Sequence, residues 1–284
     1  GEVSSYEELL PILEKAADLI DGQTLAITPD RPFWNGDTIH YYYDETILVI
    51  TWKEIVDKCV YTVSEVKIAH PSQFRRFLAG GEFGSDKQHL TTEMSASVNA
   101  VMASSGDFYT YCKVGTVVYE GQLRRFEGED VDTCFINDEG DLLFAYRGQL
   151  KSEEEAKKFI EDNNVRFSLV FGPVLLDNGE IKVPRTYSRG QVEGTYSRAA
   201  ICQWDKLHYL VLNTSQEQGY CNRHNTRFFT EFIQKLGCNT AYALDGGQTT
   251  AIVMNDELVT LPDYGTQRRI SDIIYFATAL PDGG

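Results

Sequence analysis

Short apolar runs joined by tight turns recur through most of the chain, and they constrain its fold more than any other feature. The runs 199–204 and 208–212 flank Asp205-Lys206, a spacing typical of a β-hairpin. Asn178-Gly179 separates another pair of apolar runs, and residues 137–140 separate a third. Because a tight turn places the strands that it joins side by side in opposite directions, these pairs predict antiparallel pairing.

Three stretches have the spacing and end signals of helices. Residues 5–20 begin with a capping box and contain Pro11, which predicts a kink or a shifted start. A second helix is predicted over 152–163, and a third over 226–236, with apolar residues on one face and Gly237 as its end. Helices inserted between hairpins predict an α+β fold, in which helices pack on a mixed, largely antiparallel sheet built from hairpins.

The N-terminal part of the chain differs in character from the rest. Residues 25–44 carry two prolines and three consecutive tyrosines, and they predict an irregular connection. We therefore divide the chain into an N-terminal helical and irregular extension, residues 1–52, and a main domain, residues 53–284. Further strands are predicted over 47–52, 59–68 and 98–103.

Charge is distributed unevenly along the chain. The 284 residues include 26 Lys and Arg against 42 Asp and Glu, a formal net charge of −16. This charge argues against a nucleic-acid partner or an anionic membrane surface. No apolar run approaches the roughly 18 to 20 residues that cross a bilayer. From Lys182 onward ten Lys or Arg face ten Asp or Glu, so the negative excess lies in the first 181 residues.

The chain has six cysteines, none with C-x-x-C spacing, so a structural zinc site is not expected. Several, such as Cys202, lie in apolar runs where a free thiol behaves as a small hydrophobic group. The even number is also compatible with one or more disulfides, and the sequence leaves the pairing open.

A carboxylate, paired glycines and two hydroxyls follow an apolar run within residues 241–251. Asp245 comes directly after the run, where a sheet would hold its backbone. Gly246 and Gly247 can take backbone angles closed to other residues and expose their N–H groups. With the hydroxyls of Thr249 and Thr250 they would form a cradle for an anion. The alternative is an ordinary turn stabilised by the aspartate.

Three other groups of residues carry binding chemistry. Ser105-Gly106-Asp107 precedes two aromatic residues, a combination suited to sugar recognition or, alternatively, to a turn beside core aromatics. Gly172-Pro173 breaks an apolar run and brings backbone close to a neighbour. Arg198 and Arg268 lie in the neutral third of the chain, and a guanidinium binds phosphate through two parallel bonds. A surface ion pair is the alternative for each arginine.

The order of these motifs resembles that of the phosphodiester glycosidase family over about residues 60–277. A strand before S-G-D-F-Y is followed by F-G-P-V-L-x-x-N-G, S-R-A-A-I, a helix ending in L-G, A-x-A-L-D-G-G-x-T-T and R-x-I-S-D. The resemblance implies hydrolysis of a sugar-1-phosphodiester of the N-acetylglucosamine-1-phosphate type, at the glycosidic C–O bond. Ser105 stands where the family commonly has Asn, and Gln248 stands where it has Gly.

Roles for the candidate residues follow from the resemblance and from the chemistry. Asp245 and Asp107 are assigned as the catalytic carboxylates, because an oxocarbenium-like transition state needs a carboxylate at the anomeric carbon. Residues assigned to substrate and phosphate binding are Arg198, Arg268, Gly246, Gly247, Gln248, Thr249, Thr250, Gly172, Ser105 and Gly106.

Neither a cofactor nor a metal ion is expected, since the candidate aspartates are far apart in the sequence and no H-x-x-H spacing clusters ligands locally. A divalent cation bound by Asp107, Asp245 and Asp272 is the alternative. Two rival functions stay open: a non-catalytic carbohydrate-binding module, and a phosphodiesterase that cuts the P–O bond. The expected partner is a carbohydrate phosphodiester, and an extracytoplasmic location is expected because related proteins are mostly extracytoplasmic.

Overall fold

The computed structural model describes residues 1–34, 38–127, 130–189 and 192–281. The helices in these ranges are α1 (Tyr6–Lys15), α2 (Ala17–Ile20), α3 (Thr91–Ser97), α4 (Glu153–Asp162) and α5 (Thr226–Leu236). The strands are β1 (Glu2–Val3), β2 (Ile39–Asp44), β3 (Ile47–Val56), β4 (Cys59–Ile68), β5 (Phe74–Leu78), β6 (Met102–Ser105), β7 (Gly115–Tyr119), β8 (Gln122–Glu127), β9 (Thr133–Asn137), β10 (Leu142–Ala145), β11 (Val165–Leu169), β12 (Val174–Asp177), β13 (Glu180–Ile181), β14 (Ala199–Asp205), β15 (His208–Ser215), β16 (Thr240–Leu244), β17 (Ile252–Met254), β18 (Glu257–Leu258) and β19 (Asp272–Phe276).

A large antiparallel sheet runs through the described part of the molecule in the order β1-β2-β3-β4-β15-β14-β16-β12-β13. A second sheet has the order β18-β17-β6-β19-β5, and two smaller sheets contain β10-β9-β11 and β7-β8. The predicted hairpins β9–β10, β12–β13 and β14–β15 are confirmed, since each pair is antiparallel across its turn. Helices packed on largely antiparallel sheets are the predicted α+β fold.

Both faces of the large sheet are covered, which explains why β4 and β15 are buried along their whole length. In β4, Tyr61 and Val63 pack on the side of α1, α2 and α5, whereas Val66 and Ile68 pack against the second sheet and the β9 sheet. All ten residues of β4 are buried. Side chains that alternate along β4 therefore enter one or the other of two cores, and neither face of the strand is exposed to solvent.

Helix ends lie where capping residues predict them. The Ser152 hydroxyl accepts a hydrogen bond from the Glu155 N–H at 3.1 Å at the start of α4. α5 begins after Asn225 and ends before Gly237, which has a φ of 109°. The first predicted helix is divided into α1 and α2 at Ala16, and Pro11 lies inside α1.

Two predicted segments differ from the structure. Residues 39–44, predicted as irregular, form β2, because their backbone pairs with β3. Of the strand predicted over 98–103, residues 98–101 are not in a strand: Val98 caps the C-terminus of α3, and β6 begins only at Met102. β3 crosses the boundary predicted after residue 52, and the division into an extension and a main domain stays a prediction.

One disulfide, Cys59–Cys221, joins β4 to the segment before α5. The other four cysteines are buried as thiols. Among the described residues, none of the helices has the length and apolar character needed to cross a membrane.

Candidate active site

Antiparallel pairing brings the ends of three strands together at one edge of the large sheet. The first residue of β14 pairs with Leu244, the last residue of β16, so Arg198 and Asp245 leave the sheet side by side. On the other side of β16, the Gly172 N–H donates to the Ala243 carbonyl at 3.0 Å. Three motifs that are distant in the sequence therefore meet at this edge.

A cavity of about 380 Å³ opens at the same edge. This volume suits a small ligand. The predicted residues that line it are Gly172, Arg198, Asp245, Gly246 and Gly247. It is also lined by residues that the sequence did not assign to a site, among them Tyr111, Cys112, Ser188, Arg189 and Tyr196.

Asp245 is partly buried in the cavity wall, and burial raises its pKa to about 7. The negative charges of Asp272 and Asp107 raise this pKa as well, whereas the Gly246 N–H and the Arg268 guanidinium lower it. A carboxyl group that titrates near neutral pH can both give and take a proton, so Asp245 has the property expected of an acid or base.

Asp107 does not line the cavity but lies in a fully buried charge cluster behind it. Its Oδ1 accepts a hydrogen bond from Arg76 Nη2 at 2.5 Å, and Asp272 Oδ2 accepts from the same nitrogen at 3.1 Å. Two carboxylates thus share one guanidinium. Burial, together with Asp272, raises the pKa of Asp107 to about 7. Arg76 was missed, although alternation along β5 places it on the buried face with Phe74 and Leu78.

Ser105 and Gly106 lie beside this cluster and do not line the cavity. Ser105 is fully buried at the end of β6. A Cβ at Gly106 would collide with the Asp272 carboxylate, so the close approach requires glycine. The Gly106 carbonyl accepts a hydrogen bond from the Asp245 N–H at 3.1 Å, which fixes the cluster beside the cavity wall.

The donors predicted for an anion cradle are used inside the Gly-Gly turn. The Gly247 N–H donates to the Ser197 carbonyl at 2.7 Å. The Thr249 hydroxyl donates to the Gly246 carbonyl at 2.8 Å and the Thr250 hydroxyl to the Gly247 carbonyl at 2.9 Å. The prediction that these three donors form a cradle for an anion is therefore wrong. Gly246 is needed for close approach instead, since a Cβ there would lie 2.5 Å from the Ser197 carbonyl oxygen.

Gln248 and Arg268 lie at the surface beside the cavity and do not line it. Gln248 Nε2 donates to the Thr266 carbonyl at 3.2 Å. The Arg268 guanidinium lies over the rings of Phe108 and Tyr111, 5.3 and 5.6 Å from their centres. Arg268 therefore acts on Asp245 through its charge.

Two arginines line the cavity, Arg198 and Arg189. Arg198 Nε donates to the His224 carbonyl at 2.6 Å, and Nη2 donates to the Gly194 carbonyl. Burial lowers the pKa of Arg198 to about 10, so it keeps its charge at neutral pH. Arg189 lines the same cavity and has no ion pair within the described ranges. It lies in an irregular segment, so no periodic signal identified it. The two guanidiniums favour an anionic ligand.

The sequence of the chain matches a family of hydrolases. The chain belongs to the phosphodiester glycosidase family, whose sequence profile matches residues 94–277, and the predicted family is confirmed. A comparison with curated protein sequences found no match.

Solved structures extend the comparison. The chain is similar to the catalytic domain of zebrafish N-acetylglucosamine-1-phosphodiester alpha-N-acetylglucosaminidase auto-inhibited by its pro-peptide, with 18% identity, a TM-score of 0.62, and coverage of 82% of this chain and 83% of that chain. A hypothetical protein from Synechocystis has 14% identity and a TM-score of 0.63, with coverage of 87% and 64%. A Burkholderia pseudomallei protein provisionally described as exported has 12% identity and a TM-score of 0.53, with coverage of 78% and 74%. These likenesses describe the fold.

Proposed function

We propose that this chain hydrolyses a sugar-1-phosphodiester at the glycosidic C–O bond. The observation that carries the proposal is a carboxyl group with a pKa near 7 in the same cavity as two guanidiniums. Membership of the phosphodiester glycosidase family supports the substrate class. An N-acetylglucosamine-1-phosphodiester is the first sugar to test, because the zebrafish protein is named for that substrate.

Arg198 and Arg189 bind the phosphate in this proposal. A phosphodiester leaves without strong protonation, so the protein has to stabilise the charge that develops on the phosphate oxygen when the C–O bond breaks. Two guanidiniums in a partly buried cavity do this through charge-assisted hydrogen bonds. Arg268 lies further out and supplies positive charge near the entrance.

Asp245 acts at the anomeric carbon. Its ionised form stabilises the positive charge of an oxocarbenium-like transition state and takes a proton from the attacking water. The water oxygen bonds to the anomeric carbon, and the electron pair of the broken C–O bond leaves with the phosphate. Asp272 and Asp107 act through Asp245, because their negative charges add to the effect of burial in raising its pKa. Arg76 holds these two carboxylates in place.

Replacing Asp245 by Asn tests the assignment. We expect kcat on an N-acetylglucosamine-1-phosphodiester to fall by about 100-fold or more, because acid or base help is lost. Circular dichroism and the melting temperature should stay those of the wild type. Asp256→Asn is the control, since Asp256 is exposed in the turn between β17 and β18. More than about a tenth of the wild-type rate in Asp245→Asn would reject the catalytic role.

The position of bond cleavage separates the proposal from its rivals. Hydrolysis in oxygen-18 water should place the label in the released sugar. Label in the phosphate would identify a phosphodiesterase that cuts the P–O bond. Binding of an uncharged oligosaccharide, with no turnover of any sugar-1-phosphodiester, would identify a carbohydrate-binding module.

No metal ion takes part in the proposed reaction. In the part of the chain that the structure describes, the oxygens of Asp107, Asp245 and Asp272 do not converge as one set of ligands. Loss of activity on dialysis against a chelator, restored by Mg²⁺ or Ca²⁺, would contradict the proposal.

We also propose an extracytoplasmic location. The Cys59–Cys221 disulfide supports it, because disulfides persist mainly in oxidising compartments. Fractionation of the native host cells would test it, and recovery of the protein with reduced Cys59 and Cys221 in the cytoplasm would refute it.

A further inference from the structure

We infer that the Cys59–Cys221 disulfide positions Arg198 for phosphate binding, through the segment 216–225 and the carbonyl of His224. This inference rests on the proposed role of Arg198. It makes the disulfide a determinant of substrate affinity and not only of stability.

Besides the Gly194 carbonyl, two neighbours that are themselves in contact, Thr214 and His224, hold Arg198. Its backbone N–H donates to the Thr214 hydroxyl at 2.7 Å, and its Nε donates to the His224 carbonyl at 2.6 Å. The Thr214 hydroxyl also lies 3.3 Å from His224 Nδ1. Thr214 is part of β15, but His224 lies in an irregular segment, so the position of its carbonyl depends on what anchors that segment.

The segment 216–225 connects β15 to α5 without a regular element of its own in the structure. Its covalent anchor is Cys221, three residues before His224, which is bonded to Cys59 at the start of β4. Both cysteines and the His224 ring are buried. Two ion pairs also hold the segment: Lys53 with Glu217 at 2.9 Å, largely buried and on the β15 side of Cys221, and Arg223 with Asp57 at 3.0 Å, in which both side chains are exposed.

The same segment leads into the wall of the cavity. α5 begins at its end, and Thr226 and Phe229 of that helix line the cavity with Arg198. Reduction of the disulfide by a dithiol gives two thiols and an oxidised dithiol. The segment then loses its link to β4, and the His224 carbonyl no longer fixes the guanidinium. Phosphate affinity should fall, whereas Asp245 is held by β16 and keeps its place.

The double variant Cys59→Ala/Cys221→Ala tests the inference at 20 °C, with the folded fraction checked by circular dichroism. We expect KM for the sugar-1-phosphodiester to rise about tenfold, the effect of one weakened charge-assisted hydrogen bond, and kcat to fall as well, because the same guanidinium stabilises the leaving phosphate. Cys202→Ala/Cys238→Ala is the matched control, because it also removes two buried sulfurs. This control should lower the melting temperature and leave KM unchanged.

Thr214→Val provides a second route that leaves the disulfide intact. It keeps the shape of the side chain but removes the hydroxyl that contacts both Arg198 and His224. KM should therefore rise, as in Cys59→Ala/Cys221→Ala. Titration calorimetry with inorganic phosphate measures the affinity without turnover. Weaker phosphate binding in both variants supports the inference even when no tested sugar is hydrolysed.

An unchanged KM and phosphate affinity in folded Cys59→Ala/Cys221→Ala would overturn the inference and leave the proposed function intact. An equal rise of KM in the Cys202→Ala/Cys238→Ala control would also overturn it, because the effect would then follow from general loss of packing.

Discussion

Arg76 is the buried cation on which the carboxylates behind the cavity depend, and replacing it by Met should be strongly destabilising. The Arg76, Asp107 and Asp272 side chains have 0% exposure. Methionine fills similar space but leaves two buried carboxylates without a cation. Breaking a buried ion pair from one side costs about 3–5 kcal/mol. At about 2–4 °C per kcal/mol for a chain of this size, the melting temperature should fall by roughly 6–20 °C.

The loss of stability in Arg76→Met should depend on pH, and the protonation of the buried carboxyl groups determines the direction of this dependence. Burial already raises the pKa of Asp107 to about 7 in the folded protein, above its unfolded value, and loss of the guanidinium raises it further. A carboxyl group with a raised folded pKa favours folding in its protonated form. Arg76→Met should therefore be less destabilising at pH 5 than at pH 8.

Urea unfolding at the two pH values, followed by tryptophan fluorescence and circular dichroism, measures the free energy of unfolding. Arg75→Met is the matched control: the adjacent arginine faces the other side of β5 and donates to the Ser72 carbonyl at an exposed position. It should cost less than about 1 kcal/mol. A loss below about 1 kcal/mol at pH 8 in Arg76→Met, or one that does not vary with pH, would refute the reasoning.

Two further predictions concern the edge of the cavity. Arg268→Gln should move the apparent pKa in the pH profile of kcat/KM upward, because the Arg268 charge lowers the pKa of Asp245, so activity should fall more at pH 6 than at pH 8. Arg269→Gln, which removes an exposed partner of Glu93, should leave the profile in place, and an unshifted profile in both variants would contradict the prediction. Gly246→Ala should lower kcat by at least about tenfold, because its Cβ would lie 2.5 Å from the Ser197 carbonyl oxygen and displace the turn after Asp245. Gly265→Ala has no atom within 4 Å of the added Cβ but a φ of 79°, so it controls for backbone strain without a close contact and should keep wild-type kcat. Wild-type kcat in Gly246→Ala would count against the close approach.

The site could be predicted from the sequence only where local signals describe it. Asp245 and Gly246 follow a buried strand in a short motif, and the motif identified both the family and a wall of the cavity. The role of the hydrogen-bond donors in the same turn was predicted wrongly. The sequence does not reveal that the Ser197 carbonyl approaches Gly247 and accepts a hydrogen bond from its N–H. Asp107 was assigned to catalysis for its neighbouring aromatics, but its burial behind the wall depends on the distant Asp272.

Hairpin spacing, helix caps and the order of the motifs were enough for the α+β class, three hairpin pairs and the family, because their signals lie in short motifs and in the order of those motifs along the chain. The meeting of Arg198 with Asp245, the charge cluster around Arg76 and the anchoring of Cys221 to Cys59 were decided only by the tertiary structure. These groups lie from 31 to 196 residues apart in the sequence. Their contacts, burial and pKa values arise from strand pairing across that distance, which no local pattern records.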